Sequence, residues 1–124
     1  MAEHPNGAMA RSVIEAYLAG DPDSATAMLA DDVVWHYIGS DEPLRGKAEV
    51  AERGPASFAA EVTAKLHDVL ANDDHVVVML KVHAERQGRT LDYDIVEVYH
   101  VQDGKIVERW ALSQDTAPIA AFFA

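Results

Sequence analysis

The chain has no cysteine, which excludes disulfides, thiolate nucleophiles and zinc sites built on thiolates. No window approaches the roughly 20 apolar residues of a membrane span, and the opening MAEHPNGAMARS has no apolar signal core. Basic residues are scarce: ten Lys and Arg stand against 21 Asp and Glu, for a formal charge of −11. A field of that sign repels phosphates and anionic headgroups, so neither nucleic acid nor a membrane surface is expected as a partner. The acids are scattered as Asp31-Asp32, Asp41-Glu42 and Asp73-Asp74 and form no tail, which reads as a solvated surface. These absences leave the cytoplasm as the expected location.

What is present describes a globular domain. Hydrophobic residues make up 49% and charged residues 25% of 124 residues, enough for one domain with a real core and too few for two. The expectation is a single domain over 1–124, with 1–8 loosely ordered. Ala10, Val13, Ile14, Tyr17 and Leu18 keep the i, i+3, i+4 spacing of a helix with one buried face, and Gly20 stands at its C-cap, predicting a helix over Met9 to Ala19. Asp21-Pro22 offers an N-cap acceptor and a proline for the first turn of a short second helix, which Asp31-Asp32 is expected to close. Val33 to Ile38 reads as a strand. A third helix begins near Lys47, and Gly54-Pro55 interrupts it before Phe58, where irregular backbone is expected.

The second half changes period from helical to alternating. Strands are predicted from Val62 to about Leu70, His75 to Ala84, Thr90 to Val101 and Lys105 to Ser113, the last three separated by glycine-bearing turns at Arg86-Gln87-Gly88-Arg89 and Gln102-Asp103-Gly104. Helices followed by a meander argue for an α+β fold, with about three N-terminal helices on one face of a curved antiparallel sheet. Along Thr90 to Val101, one face shows Tyr93, Ile95, Glu97 and Tyr99, and the other Asp94, Val96, Val98 and His100. Both faces are partly apolar, so the face away from the helices is expected to meet a second copy in a homodimer.

Two stretches, EAYLAGDPDSATAMLADDVVWHYIGS from Glu15 to Ser40 and VYHVQDGKIVERWALSQD from Val98 to Asp115, resemble the SnoaL-like branch of the nuclear transport factor 2-like superfamily. That group gathers steroid isomerases, polyketide cyclases, dehydratases and limonene-epoxide hydrolases. The resemblance implies a cone-shaped, cystatin-like α+β roll in which helices cover the concave side of a bent sheet and leave one deep apolar pocket. It also implies where catalytic groups stand. In steroid isomerases a tyrosine, a carboxylate base and a protonated carboxylic acid hold places that fall here on Val13, Tyr37 and Glu97, and only Glu97 keeps an acid. The closing-strand carboxylate of the epoxide-hydrolase relay falls on Ala111, so neither steroid isomerisation nor epoxide hydrolysis is favoured.

Glu97 is therefore the candidate catalytic residue, because a carboxyl group in an apolar pocket can give or take a proton near neutral pH. The alternative is a strand glutamate paired with a basic residue. Arg109 is the natural partner or a clamp for a substrate carboxylate, and a mutual ion pair would hold both charged and inert. Ile106, Trp110 and Leu112 form the greasier face of the same strand, however, and if that face lines the pocket then Trp110 is the ligand contact. His36 is a proton carrier by type, but alternation puts Trp35 and Tyr37 on one face and His36 on the other. Tyr17 and Tyr99 complete the candidate pocket with phenolic hydroxyls.

No His, Asp and Glu grouping keeps a metal-ligand spacing, since His75 and His83 lie roughly 26 Å apart on a straight strand. Nucleophile elbow, phosphate loop and dinucleotide fingerprint are all missing, and Ser12, Ser24, Ser40, Ser57 and Ser113 carry no activating signature. No cofactor and no metal are expected. The functional expectation is a pocket for a small apolar carbonyl or hydroxyl metabolite, acted on by proton transfer of isomerase, cyclase or lyase type. The alternative is a non-catalytic dimeric domain that binds a small molecule or another protein. A Glu97→Gln variant is expected to lose turnover without a change in melting temperature.

Overall fold

The structure is a computed structural model that describes residues 3–55 and 60–124, so Ser57 and Phe58 lie outside the described residues. Its elements run α1 (Pro5–Leu18), α2 (Pro22–Thr26), β1 (Leu29–Trp35), β2 (Leu44–Arg45), α3 (Lys47–Arg53), β3 (Val62–Ala71), β4 (His75–Arg86), β5 (Arg89–Gln102), β6 (Lys105–Leu112) and α4 (Ala117–Phe123). Among the described residues six strands form one curved sheet in the order β2-β1-β6-β5-β4-β3. The long strands β3 to β6 are the expected meander. At both tight turns two successive residues take positive φ, Gln87 (53°) with Gly88 (76°) and Asp103 (51°) with Gly104 (74°), the twist that a two-residue hairpin needs.

Local chemistry explains where the helices start. Pro5 occupies the first turn of α1, and the His4 imidazole accepts from the Asn6 backbone N–H at 3.1 Å. Asn6 in turn donates its side-chain amide to the carbonyls of Asn72 and Asp73, at 3.1 and 3.2 Å, tying the helix start to the β3–β4 turn. Residues Pro5 to Ala8, expected to be loose, are therefore helical. Asp21 caps α2 through Ser24, as its spacing predicts. Asp31-Asp32 does not close that helix, which stops at Thr26; the two acids sit exposed within β1, which begins four residues before Val33 and ends at Trp35.

Several features go beyond the meander. β1 runs parallel to β6, with Trp35 opposite Arg109. β2 and α4 were not anticipated. Bulges shift the register between Leu66 and Asp68 and between His100 and Val101, bending the strands and reversing which residues face inward. Past the first bulge Val69 and Ala71 pack on the core and Leu70 is 54% exposed, although Leu66 and Leu70 share a face in the plain alternation.

The inner face of the sheet carries the core: Val33, Trp35, Val76, Val78, Tyr99 and Ile106 are fully enclosed beneath Ala10, Val13 and Tyr17 of α1. α4 buries Ile119 and Phe122 and packs against β5, where Phe123 meets Tyr93 edge-on with ring centres 6.4 Å apart. Its close approach to the loop after β1 requires Gly39, which has φ +97° and where a Cβ would meet Ala120 at 2.8 Å. No helix among the described residues is long and apolar enough to cross a membrane.

Candidate functional site

Sheet register builds the centre of the site. On the inner face Arg109 lies between Trp35 of β1 and Tyr99 of β5, its direct partners, with Glu97 diagonally across on β5. The bulge opposite His100 and Val101 is what turns Arg109 inward: it makes Val107 the extra residue, so Ile106 and Arg109 both face the core. The guanidinium donates Nε to Glu97 Oε1 at 2.7 Å and Nη2 to the same oxygen, while Nη1 donates to the His36 carbonyl at 2.7 Å. Its face lies 4.7 Å from the Trp35 ring centre. Side-chain exposures of 8% for Arg109 and 6% for Glu97 make this a buried pair, held against rotation.

Two phenols stand beside the pair. Tyr17 meets Trp35 edge-on, with ring centres 5.8 Å apart, and Trp35 lies 6.3 Å from Tyr99. Both hydroxyls are buried with no hydrogen-bond partner among the described residues; Tyr99 feels the Glu97 carboxylate, but the geometry falls short of a bond. Burial pushes the Tyr17 phenol up to about 12, with Arg109 opposing and Glu97 adding. Tyr93 is raised to about 12 by burial and then Glu97, and Tyr99 rises well above the usual phenol range for the same reasons. All three remain neutral donors at physiological pH.

These groups open on a cavity of about 620 Å³. Tyr17, Trp35, Glu97 and Arg109 form its polar end, and Leu80, Val82 and Ile95 line the apolar body. Tyr37 lies past the end of β1, 37% exposed on the rim. Ala111 is on the wall, so the place where the resemblance implies a relay carboxylate holds only a methyl group. Glu97 is thus the one carboxylate side chain on the described wall, and Oε2 receives no donor in the described hydrogen bonds. The arrangement offers one proton acceptor, neutral donors and an otherwise apolar container.

Other candidates fall elsewhere. His36 and Trp110 do not reach the cavity: they stack on the outer face, 5.8 Å apart and within 6° of parallel, and His36 Nε2 pairs with Glu108 Oε2 at 2.6 Å. His36 nevertheless serves the site through its backbone carbonyl. Tyr99 lies under the wall, within the core, and not among the lining residues. Tyr93 lines the cavity as well, and so do the α4 residues Ile119 and Phe123, which were not singled out. Tyr93 was legible, being four positions before Glu97 on the same strand face; α4 carried no such signal. Among the described residues no three His, Asp or Glu side chains form a metal cluster.

The sequence matches the SnoaL-like domain family over residues 10–109. The chain belongs to that family. No curated protein matches it significantly. Among solved structures, this SnoaL-like chain is similar to Bal32a from a soil-derived mobile gene cassette, at 22% identity and a TM-score of 0.85 over 97% of both chains. A Xanthomonas campestris protein of unknown function with a cystatin-like fold shares 28% identity, with a TM-score of 0.82 over 96% of this chain and 98% of its own. Rv0760c from Mycobacterium tuberculosis, in complex with estradiol-17β-hemisuccinate, shares 22% identity, with a TM-score of 0.77 over 92% of this chain and 98% of its own. These likenesses establish the curved α+β fold and leave the reaction to the residues of the site.

Proposed function

We propose that the cavity takes up a small, mainly apolar carbonyl or hydroxyl compound and moves a proton on it, as an isomerase, cyclase or lyase does. Glu97 Oε2 accepts a proton from carbon beside the carbonyl and returns it at another atom, while the Tyr17 hydroxyl donates to the oxygen where negative charge develops. The observation that carries this reading is the Tyr17 hydroxyl, buried without a partner in a residue that lines the same cavity as the buried Glu97–Arg109 pair. Buried donors are nearly always satisfied, so a ligand oxygen is the natural missing partner. The steroid ester bound by Rv0760c supports an apolar ligand of this size. Epoxide hydrolysis is less supported, since Ala111 supplies no second carboxylate.

A panel of apolar enones and hydroxyketones, screened by thermal shift and then analysed for isomerised or dehydrated product, tests this. Turnover should fall at least about a hundredfold in Glu97→Gln, with binding retained, and also fall in Tyr17→Phe, where the lost donor weakens binding as well; unchanged turnover in both variants overturns the assigned roles. The second reading is a carrier without chemistry, favoured by the grip of Arg109 on Glu97 Oε1. Ligands recovered unchanged after prolonged incubation would establish it. Because Glu97 is buried in a pair, Glu97→Gln is expected to lower the melting temperature, contrary to what its sequence context alone suggested.

We further infer a homodimer through the outer face of the sheet. The ladder sets Val77, Met79, Val96, Val98, Trp110 and Leu112 side by side there, with Leu112 59% exposed. An apolar patch repeated on two copies suits a twofold contact. Light scattering at micromolar concentration should give a dimeric mass that Leu112→Glu halves; a monomeric mass for the unaltered chain rules the dimer out.

A further inference from the structure

Charge on the cavity wall runs against the rest of the chain. Its described side chains include three arginines, Arg53, Arg86 and Arg109, and one acid, Glu97, in a chain with 21 Asp and Glu against ten Lys and Arg. Arg109 and Glu97 cancel one another at the deep end. Arg53 ends α3 and Arg86 ends β4, and their side chains are 58% and 25% exposed, which places both at the mouth. Ala124 also lies on the wall and brings no charged side chain, so the described side chains leave the wall positive.

Both mouth arginines keep donors in reserve. Arg53 spends Nη1 on Glu49 at 3.4 Å, and Arg86 spends Nη1 on Glu61 at 3.2 Å; neither glutamate lines the cavity. The half-exposed Arg53–Glu49 pair holds its members weakly, whereas the partly buried Arg86–Glu61 pair commits only Nη1 of the Arg86 fork. A guanidinium has five donors in a planar fork, and Arg86 Nε is buried with no acceptor among the described residues. Two oxygens in one plane match that fork, and a singly charged group meets less repulsion from the acidic surface than a dianion does.

We propose that Arg53 and Arg86 form a carboxylate subsite at the mouth, so that the ligand is an amphipathic acid whose apolar body fills the cavity and whose carboxylate stays at the rim. The proposal rests on the cavity being a ligand site, and names the class of ligand that site selects.

The test is fluorescence titration with 11-(dansylamino)undecanoic acid and with its methyl ester, which share an apolar body and differ in charge. The acid should bind about tenfold more tightly than the ester, as a charge-assisted contact implies. Arg86→Gln and Arg53→Gln should each remove several-fold of the acid's affinity and leave that of the ester unchanged, the ester serving as a check that each variant is folded. Equal binding of acid and ester overturns the mouth subsite and leaves the cavity reading standing. An acid preference that survives both substitutions overturns the assignment to these arginines. If neither compound binds, the cavity reading fails with it.

Discussion

Two acid–base pairs sit back to back across β6, and their difference teaches what the sheet does to chemistry. On the inner face Arg109 holds Glu97 with side-chain exposures of 8% and 6%; on the outer face, one residue earlier in the chain, Glu108 holds His36 with exposures of 32% and 38%. By residue type the outer pair is the better proton carrier. By position it is a partly exposed contact stacked on Trp110, while the inner pair is buried on the wall of the cavity. Low local dielectric strengthens the inner attraction and raises the penalty for leaving either charge alone. The facing of adjacent residues therefore decides which pair is available to a ligand.

The largest effect expected from breaking this comparison comes from Glu97→Gln, which leaves the Arg109 charge buried without its carboxylate. Such removals destabilise by about 3–5 kcal/mol, read as a lower midpoint in urea unfolding. The double variant Glu97→Gln/Arg109→Met should recover most of that loss, because the penalty belongs to the unpaired charge. A single-variant loss below about 1 kcal/mol would put the inner pair in the same class as a surface pair.

How far the sequence reveals these two faces depends on whether the signal is local. The α1 face, the Asp21-Pro22 cap, the start of α3 and both hairpin turns are written in neighbouring residues, and the structure has each of them. Glu97 faces inward by the simple alternation of Tyr93, Ile95, Glu97 and Tyr99. Arg109 could not be settled that way, since Ile106, Trp110 and Leu112 look like one apolar face until the bulge at Val107 separates Ile106 from the other two. A bulge depends on the partner strand and leaves no mark in one strand's period. The same holds for the parallel pairing of β1 with β6. APIAAFF, which becomes α4, is too short and too uniformly apolar to show a helical face before it packs on the loop at Gly39.

A smaller effect separates the two faces through Tyr17. Replacing it by Phe removes a buried hydroxyl with no partner, so the free protein should gain about 1 kcal/mol while losing affinity for any ligand whose oxygen it holds. The gain should be larger in alkali. Burial raises the Tyr17 phenol from 10.0 to about 12, so the fold favours the protonated form. That contribution is complete below pH 10 and is lost as pH rises through about 12, with Tyr93 and Tyr99 adding in the same direction. Melting temperatures between pH 9 and 12 should fall for the unaltered chain and fall less steeply for Tyr17→Phe. Parallel curves would mean that the Tyr17 phenol is not held protonated by burial.

The smallest effect belongs to the outer pair. Glu108→Gln removes a half-exposed carboxylate whose role His36 can fill by bonding water, so its cost should stay below about 1 kcal/mol in dilute protein, measured by urea unfolding. The same measurement across a range of protein concentrations then bears on the outer face as a whole. If a second copy covers the neighbouring Trp110, His36 and Glu108 lose water on association, and the cost of Glu108→Gln grows with concentration. If the cost stays small and constant, the outer face remains wet, and the contrast between the two pairs is fixed by this chain alone.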